Sequence, residues 1–221
     1  MTTKRDNSSG PWVLLIHGLA AHRSILWLLA WRLRRRGYRT AIFGYPSIWR
    51  GVKSHAARLR RFIDRFEAEH PDEPYAIIGH SMGGILVRAL LDETRPPGLR
   101  QIIMLGSPNQ GSHAARRLAP FLGRICPPLT ELADTPYSLV RTLGDTRGIP
   151  TAIVAGSRDR VVTVDATHLP TVTEHHVVRS GHGELLFRQD VAEIVDQYLK
   201  DSLARPTNPT VQNPPTSSVL V

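Results

Sequence analysis

The pentapeptide Gly-His-Ser-Met-Gly at positions 79–83 places Ser81 in a short turn between an apolar run and a segment of helical periodicity. A serine hydroxyl is a poor nucleophile at neutral pH, and it needs a nearby base and donors for the oxyanion that forms when it attacks a carbonyl. A sharp strand-to-helix turn flanked by glycines exposes such a hydroxyl. The pattern therefore predicts that Ser81 is a nucleophile for acyl transfer.

The usual base for a serine nucleophile is a histidine, and the chain contains ten of them. His182 fits best because it lies in the loop 180–183, after the last predicted strand and before the C-terminal helix. His175 and His176 lie on that strand and are predicted to be structural. His80, beside the nucleophile, is predicted to turn into the packing, which leaves His182 as the predicted base.

The acid that orients the imidazole is predicted to be Asp159, in the segment 155–162 that directly follows a strand. Ligands of α/β sheets collect at the carboxyl ends of the strands, where this segment would lie. Asp165 is the second choice, with a turn or helix cap as its alternative role. Asp134 and Asp145 are more remote candidates.

The segments that must position these side chains alternate between short β-rich apolar runs and longer runs of helical period. This alternation is typical of a parallel sheet covered by helices on both faces. Six strands are predicted, at residues 12–16, 39–43, 75–78, 101–105, 151–155 and 175–178. Helices are predicted at 24–36, 51–69 and 82–93, with a C-terminal helix that carries the apolar stripe Val191, Ile194, Val195, Tyr198 and Leu199.

One domain is predicted over residues 11–203, because 221 residues are too few for two ordinary domains. Residues 1–10 are predicted to be a flexible N-terminus, and the proline-rich residues 204–221 a disordered tail. Residues 107–149 are long for a plain crossover between strands. Two interpretations stay open for them: a mobile apolar lid over one end of the sheet, or crossover helices packed on the core.

The helix predicted at 24–36 carries more apolar surface than one buried stripe requires. Trp27 and Trp31 are four residues apart, and we expect them to pack together on the sheet. The alternative is that part of this surface faces a pocket or a bilayer.

The chain order Ser81, Asp159, His182, with Leu-Leu-Ile-His-Gly-Leu at 14–19 and Leu-Gly-Ser-Pro-Asn-Gln-Gly-Ser at 105–112, resembles the small lipases and esterases of the α/β-hydrolase superfamily. A more distant resemblance is to inositol-deacylase-like lipases that act on glycolipid anchors. The resemblance implies the α/β-hydrolase fold, with a mostly parallel sheet of about six strands, helices on both faces and a small lid-like insertion.

The resemblance also implies an oxyanion hole formed by the backbone N–H groups of Leu19 and Met82, with His17 supporting the loop. We expect no cofactor and no metal. The sequence lacks the secretory signal, the disulfide and the calcium-site carboxylate cluster of the larger secreted lipases, and Cys126 is its one cysteine. We therefore expect a cytoplasmic protein, at most peripheral at a membrane.

The formal net charge of +9 favours contact with anionic surfaces. Much of this charge lies on predicted helices, where a solvated helix face is the favoured interpretation and contact with an anionic membrane the second. No nucleic acid partner is expected, because no zinc-finger spacing, RNP-like aromatic motif or helix-turn-helix accompanies the charge.

The function that the resemblance implies is hydrolysis of a carboxylic ester through an acyl-enzyme. The apolar connection, the tryptophans and the basic charge favour a lipid or medium-chain acyl ester as the substrate. Two alternatives stay open: a thioesterase, amidase or acyltransferase with the same triad, and a non-catalytic hydrolase-like domain that binds anionic membranes.

Overall fold

A single parallel sheet forms the centre of the protein. The computed structural model describes residues 10–203, and within them the strands are β1 Trp12–Ile16, β2 Arg39–Phe43, β3 Tyr75–His80, β4 Leu99–Leu105, β5 Thr151–Gly156 and β6 Glu174–Val178. They lie in the order β2-β1-β3-β4-β5-β6, and every neighbouring pair is parallel. The predicted N-terminal segment 1–10, apart from Gly10, and the predicted tail 204–221 lie outside the described residues.

The predicted sheet is thereby confirmed, and the predicted strands differ from the observed ones only at their ends. β3 extends to His80 because Gly79 and His80 still pair with Met104 and Leu105 of β4. All residues of β3 are buried, as expected for a central strand covered on both faces. β6 is largely exposed because it lies at the edge of the sheet.

Helices cover both faces of this sheet. Within the same residues they are α1 Trp27–Arg35, α2 Val52–Glu69, α3 Met82–Glu93, α4 His113–Leu122, α5 Pro127–Glu131, α6 Leu139–Thr142, α7 Val164–Thr167 and α8 Gln189–Leu203, with 3₁₀ turns at Arg23–Leu26 and Gly183–Leu186. Across residues 10–203, no helix combines the length and the apolar character needed to cross a membrane.

Alternate residues of each strand contribute to two apolar layers, as the two-residue period of a strand requires. In β1, Leu14 and Ile16 face the layer built with α2 and α3. Val13 and Leu15 face the opposite layer, which α1 and α8 complete. The sheet is therefore clamped between two cores, and the loops at the carboxyl ends of its strands are held on a rigid base.

The expected packing of Trp27 and Trp31 on the sheet is wrong. Trp27 is 61% exposed and Trp31 48% exposed, and the guanidinium of Arg35 lies over the ring of Trp31. The stripe that α1 and the preceding turn bury consists of positions 26, 29, 30 and 33. These positions follow the helical period, so residues 27 and 31 fall on the opposite, solvent-facing side.

The connection between β4 and β5 contains both apolar residues that pack in the core and apolar residues that are exposed. Its second part, with Leu129, Val140 and Leu143, packs into the core layer of α2 and α3. In its first part, α4 leaves Leu118 and Phe121 exposed. α4 is therefore the part of the connection that lies over the carboxyl end of the sheet with an unburied apolar face.

Candidate active site

Ser81 occupies the turn between β3 and α3 with a left-handed backbone conformation, at φ 54°. A non-glycine residue in this region is strained, and such strain persists only where the surroundings enforce it. Here the surroundings are close: a Cβ at Gly79 would lie 2.5 Å from the backbone nitrogen of Gly84, and one at Gly83 would lie 2.5 Å from the carbonyl oxygen of Ile16. Strand and helix thus approach closely enough to hold the serine at the tip of the turn.

The structure brings the three predicted side chains into one line. Nε2 of His182 lies 2.9 Å from Oγ of Ser81, and Nδ1 of the same ring lies 2.6 Å from Oδ2 of Asp159. Nδ1–H donating to the carboxylate leaves Nε2 free to accept the hydroxyl proton, which is the tautomer that a general base needs.

Asp159 is buried, and both of its carboxylate oxygens have defined partners. Oδ1 accepts from the backbone N–H groups of Val161 and Val162, at 2.7 and 2.8 Å, while Oδ2 faces the imidazole of His182. The loop after β5 therefore orients the carboxylate through its own backbone.

The other candidate acids lie elsewhere. Asp165 is exposed in the first turn of α7, where a carboxylate complements the helix dipole. Asp134 pairs with Arg116, and Asp145 accepts from the backbone of Arg147. The structure thus brings only Asp159 of these four to the imidazole of His182.

His80 contacts the loop that carries the predicted base, and no local signal in the sequence indicates this contact. It is buried, and its Nε2 lies 3.2 Å from the backbone carbonyl oxygen of His182, to which an N–H there can donate. Burial lowers the pKa of His80 to about 4, with the neighbouring His182 as a smaller cause. His175 and His176 hydrogen-bond Thr167 and Tyr198, away from Ser81.

The loop after β1 lies against the nucleophile, as the predicted oxyanion hole requires. A Cβ at Gly18 would lie 3.3 Å from Oγ of Ser81, and Leu19 lines the same cavity as that serine. Met82 is the first residue of α3, where backbone N–H groups have no acceptor within the helix. Leu19 therefore borders the same cavity as Ser81, and Met82 adjoins Ser81 in the chain.

Tyr45 contacts this loop through His17. No local signal in the sequence links position 45 to the loop. The buried hydroxyl of Tyr45 donates to the carbonyl oxygen of His17 at 2.8 Å, and the two rings stack 4.3 Å apart. Nδ1 of His17 lies 2.9 Å from the carbonyl oxygen of Gly18. Burial raises the pKa of Tyr45 and lowers that of His17, so both groups stay neutral near pH 7.

A cavity of about 510 Å³ opens beside Ser81 and His182. Its walls come from the loop after β1, from the loop before α2, from the connection that contains α4 and α5, and from the segment after β5. Besides Ser81 and His182 the lining residues are Leu19, Ala20, Ile48, Pro108, Ser112, Ala114, Ala115, Leu118, Leu122, Ile125, Cys126, Leu129, Leu132, Val161 and Val162. None of these lining residues carries a carboxylate, an ammonium or a guanidinium, so the cavity suits an uncharged, apolar group.

The part of the chain that the structure describes contains no group of three or more His, Cys, Asp or Glu side chains arranged to hold a metal ion. The hydroxyl of Ser81 lies within hydrogen-bond distance of Nε2 of His182.

A family profile described as serine aminopeptidase, S33 matches residues 8–141, which is more than half of the chain. The chain belongs to this family. In this S33 family member the matched range includes Leu19, Ser81 and Met82, and it ends before Asp159 and His182. The predicted acid and the predicted base thus lie outside the family match, and only the distances to His182 place them beside Ser81.

Solved structures share the fold of this S33 family member. The mature lipase of Bacillus licheniformis aligns with a TM-score of 0.72 and 16% identity, over 90% of this chain and 95% of the lipase. A Burkholderia cenocepacia protein described as an aryl esterase aligns with a TM-score of 0.62 and 15% identity, over 90% of this chain and 93% of the esterase. A phospholipase of Legionella pneumophila aligns with a TM-score of 0.60 and 22% identity, over 71% of this chain and 44% of the phospholipase. These similarities establish the α/β-hydrolase fold. Comparison with curated protein sequences yields no match.

Proposed function

We propose that this protein hydrolyses a carboxylic ester through an acyl-enzyme on Ser81. The observation that carries the proposal is the line from Ser81 Oγ through the His182 imidazole to Asp159, with spacings of 2.9 and 2.6 Å at the end of an apolar cavity. Membership of a serine hydrolase family, and a fold shared with lipases and esterases, support the same reaction class.

In the proposed mechanism Oγ of Ser81 attacks the ester carbonyl while Nε2 of His182 takes the hydroxyl proton. The backbone N–H groups of Leu19 and Met82 stabilise the oxyanion. His182 then returns the proton to the departing alcohol, and a water molecule, activated by the same imidazole, releases the acid from Ser81. Asp159 keeps the imidazole in the required tautomer throughout.

The proposed substrate is a lipid or a medium-chain acyl ester. The cavity beside Ser81 is lined almost entirely by aliphatic side chains, and each methylene buried there contributes about 0.8 kcal/mol. The Legionella phospholipase, a structural neighbour, acts on lipids according to its name, which is compatible with this choice.

The family name raises a second candidate, cleavage of an amino-terminal residue from a peptide. Such an enzyme must bind a cationic ammonium group, for which a carboxylate is the natural partner. No carboxylate lines the cavity, and the carboxylates of Asp159, Glu131 and Asp134 are engaged elsewhere. Asp159 faces His182, Glu131 accepts from the N–H of Val52, and Asp134 pairs with Arg116. The ester is therefore favoured over the peptide. A thioesterase or an amidase would form the same acyl-enzyme, and an acyltransferase would pass its acyl group to an alcohol instead of water.

The test is the Ser81→Ala variant. Its matched control is Ser157→Ala, because Ser157 is exposed and its backbone N–H, which the variant keeps, donates to Val178 of β6. We expect Ser81→Ala to abolish turnover of a p-nitrophenyl ester and labelling by a fluorophosphonate, while its circular dichroism stays native. The control should retain both properties. Full activity of Ser81→Ala would overturn the proposal, and a native chain that neither labels nor turns over ester would favour the non-catalytic alternative.

We further propose that the protein acts in the cytoplasm, in part at the membrane surface. The free, buried Cys126 is compatible with a reducing compartment, and the basic net charge with anionic lipid. Fractionation of cells into soluble, membrane and periplasmic or secreted material tests this location, and recovery mainly from the last of these would contradict it.

A further inference from the structure

The mouth of the cavity beside Ser81 has an apolar rim that solvent reaches. Leu118, Leu122, Ile125 and Val161 all line the cavity, yet each is at least 40% exposed. Phe121 lies on the same helix, α4, and is 82% exposed. Single exposed apolar residues are ordinary, but a contiguous group around a pocket marks a surface that binds something.

A second part of this rim comes from the loop before α2. Ile48 of this loop lines the cavity, and the next residue, Trp49, is 66% exposed. The carboxylate of Glu131, at the end of α5, accepts from the N–H of Val52 at 2.6 Å. This bond ties the loop to the connection that carries α4, so both parts of the rim belong to one surface.

Positive charge accompanies the rim. Arg116, Arg117 and Arg124 are exposed in and beside α4, and residues 113–125 contain no aspartate or glutamate. Of the three, Arg116 pairs with Asp134. Arg50 is exposed next to Trp49 on the other part of the rim. The surface therefore combines apolar side chains, an indole and arginines, the composition that favours the interface of an anionic membrane.

We propose that this rim docks the protein on an anionic lipid surface, with Phe121 and Trp49 entering the headgroup region and Arg117 and Arg124 contacting lipid phosphates. The cavity then opens toward the bilayer, and an acyl chain can reach Ser81 without crossing water. Only this last step rests on the proposed function, because docking itself requires no catalysis.

A second copy of the chain fits this surface less well. In a two-fold dimer the same patch meets itself, so the arginines in and beside α4 would approach an equally basic surface. Residues 113–125 offer no acidic side chain to pair with them. Lipid phosphates supply the missing negative charge, which is why the structure favours a lipid surface.

The experiment is vesicle flotation with the full chain carrying Ser81→Ala, so that no lipid is consumed. We expect it to float with phosphatidylcholine vesicles that contain about 30% phosphatidylglycerol, to bind pure phosphatidylcholine at least about tenfold more weakly, and to be released by salt. Equal binding to both vesicles, or binding to neither, would overturn the proposal. A dimer in sedimentation equilibrium that fails to float would assign the patch to self-association.

Matched variants locate the surface. Arg117→Glu with Arg124→Glu should weaken binding to the anionic vesicles about tenfold or more, whereas Arg61→Glu with Arg65→Glu, which changes the net charge equally on exposed positions of α2, should have a small effect. Trp49→Ser should weaken binding more than Trp31→Ser. Equal losses within either pair would show that this face is not the docking surface.

The two proposals can fail separately. In the chain with Ser81 intact, the Arg117 and Arg124 variant should turn over a soluble short-chain ester at the native rate, because neither residue lines the cavity. A protein that hydrolyses this ester but does not float retains the function without the docking surface. A protein that floats but hydrolyses no ester retains the docking surface without the function.

Discussion

At the residue scale, the orientation of Asp159 decides what a conservative change would do. Its Oδ1 accepts from two backbone N–H groups, those of Val161 and Val162. An asparagine here must therefore keep its amide oxygen on those donors and turn its NH₂ toward His182. An NH₂ facing Nδ1 forces Nδ1 to accept, which places the ring proton on Nε2 and removes the base that Ser81 needs.

We expect Asp159→Asn to lower kcat by about ten-thousand-fold while the fold is retained, because the imidazole is held in the wrong tautomer. Steady-state kinetics with a soluble p-nitrophenyl ester measure the loss. Asp165→Asn, at the exposed second-choice acid, is the control and should change kcat little. Near-native turnover by Asp159→Asn would show that another group orients the base.

At the element scale, the close approach of α3 to β1 holds the nucleophile in place. A Cβ at Gly83 would lie 2.5 Å from the carbonyl oxygen of Ile16 and 3.0 Å from that of His17. Both are backbone atoms of the strand and loop that lead to the predicted oxyanion donor, so they cannot move without moving Leu19. Because Gly83 has no Cβ, α3 can pack close to β1, and this packing also sets the position of the loop that carries Leu19.

Gly83→Ala should therefore lower the free energy of unfolding by about 1–3 kcal/mol and reduce kcat as well, since the helix must shift away from the strand. Urea unfolding and ester kinetics test the two effects. Gly183→Ala is the stability control, because a Cβ there meets no atom within 4 Å. An unchanged unfolding curve for Gly83→Ala would contradict the close approach.

At the scale of the whole molecule, buried histidines make stability depend on pH. Desolvation lowers the pKa of His17, His55 and His80 below the ordinary value of 6.5, in the case of His80 to about 4. Between about pH 4 and pH 6.5, the folded protein therefore binds fewer protons than the unfolded chain. The stability that these neutral histidines contribute is fully present above pH 6.5 and is lost as the pH falls toward 4.

We expect the free energy of unfolding to fall by a few kcal/mol between about pH 7 and about pH 4.5. His80→Gln keeps a neutral donor for the His182 carbonyl and cannot titrate, so its loss over the same range should be smaller. Urea unfolding at the two pH values measures both, with His22→Gln at an exposed position as the control. An identical pH dependence for the native chain and His80→Gln would contradict the assignment.

The sequence by itself was enough to predict the six strands and the long helices, and to select candidate catalytic residues. β1 and β2 were predicted with their observed bounds, because a short run rich in apolar and β-branched residues is a local signal. The turn at Ser81 could likewise be recognised, since strand, turn and helix are adjacent in the chain. His182 and Asp159 were selected by their places after strands, and the structure brings both to Ser81, although their catalytic roles stay predictions.

Only the tertiary structure decided which surfaces are buried and which distant residues touch. Trp27 was expected to pack on the sheet and is exposed, because the sheet takes the other side of α1. The hydrogen bond from Tyr45 to the His17 carbonyl and that between His80 and the His182 carbonyl join residues far apart in the chain. The apolar wall of the cavity is likewise formed by residues from several segments that are far apart in the chain. Such contacts depend on how all elements pack together, whereas periodicity and turn signals reside in neighbouring residues.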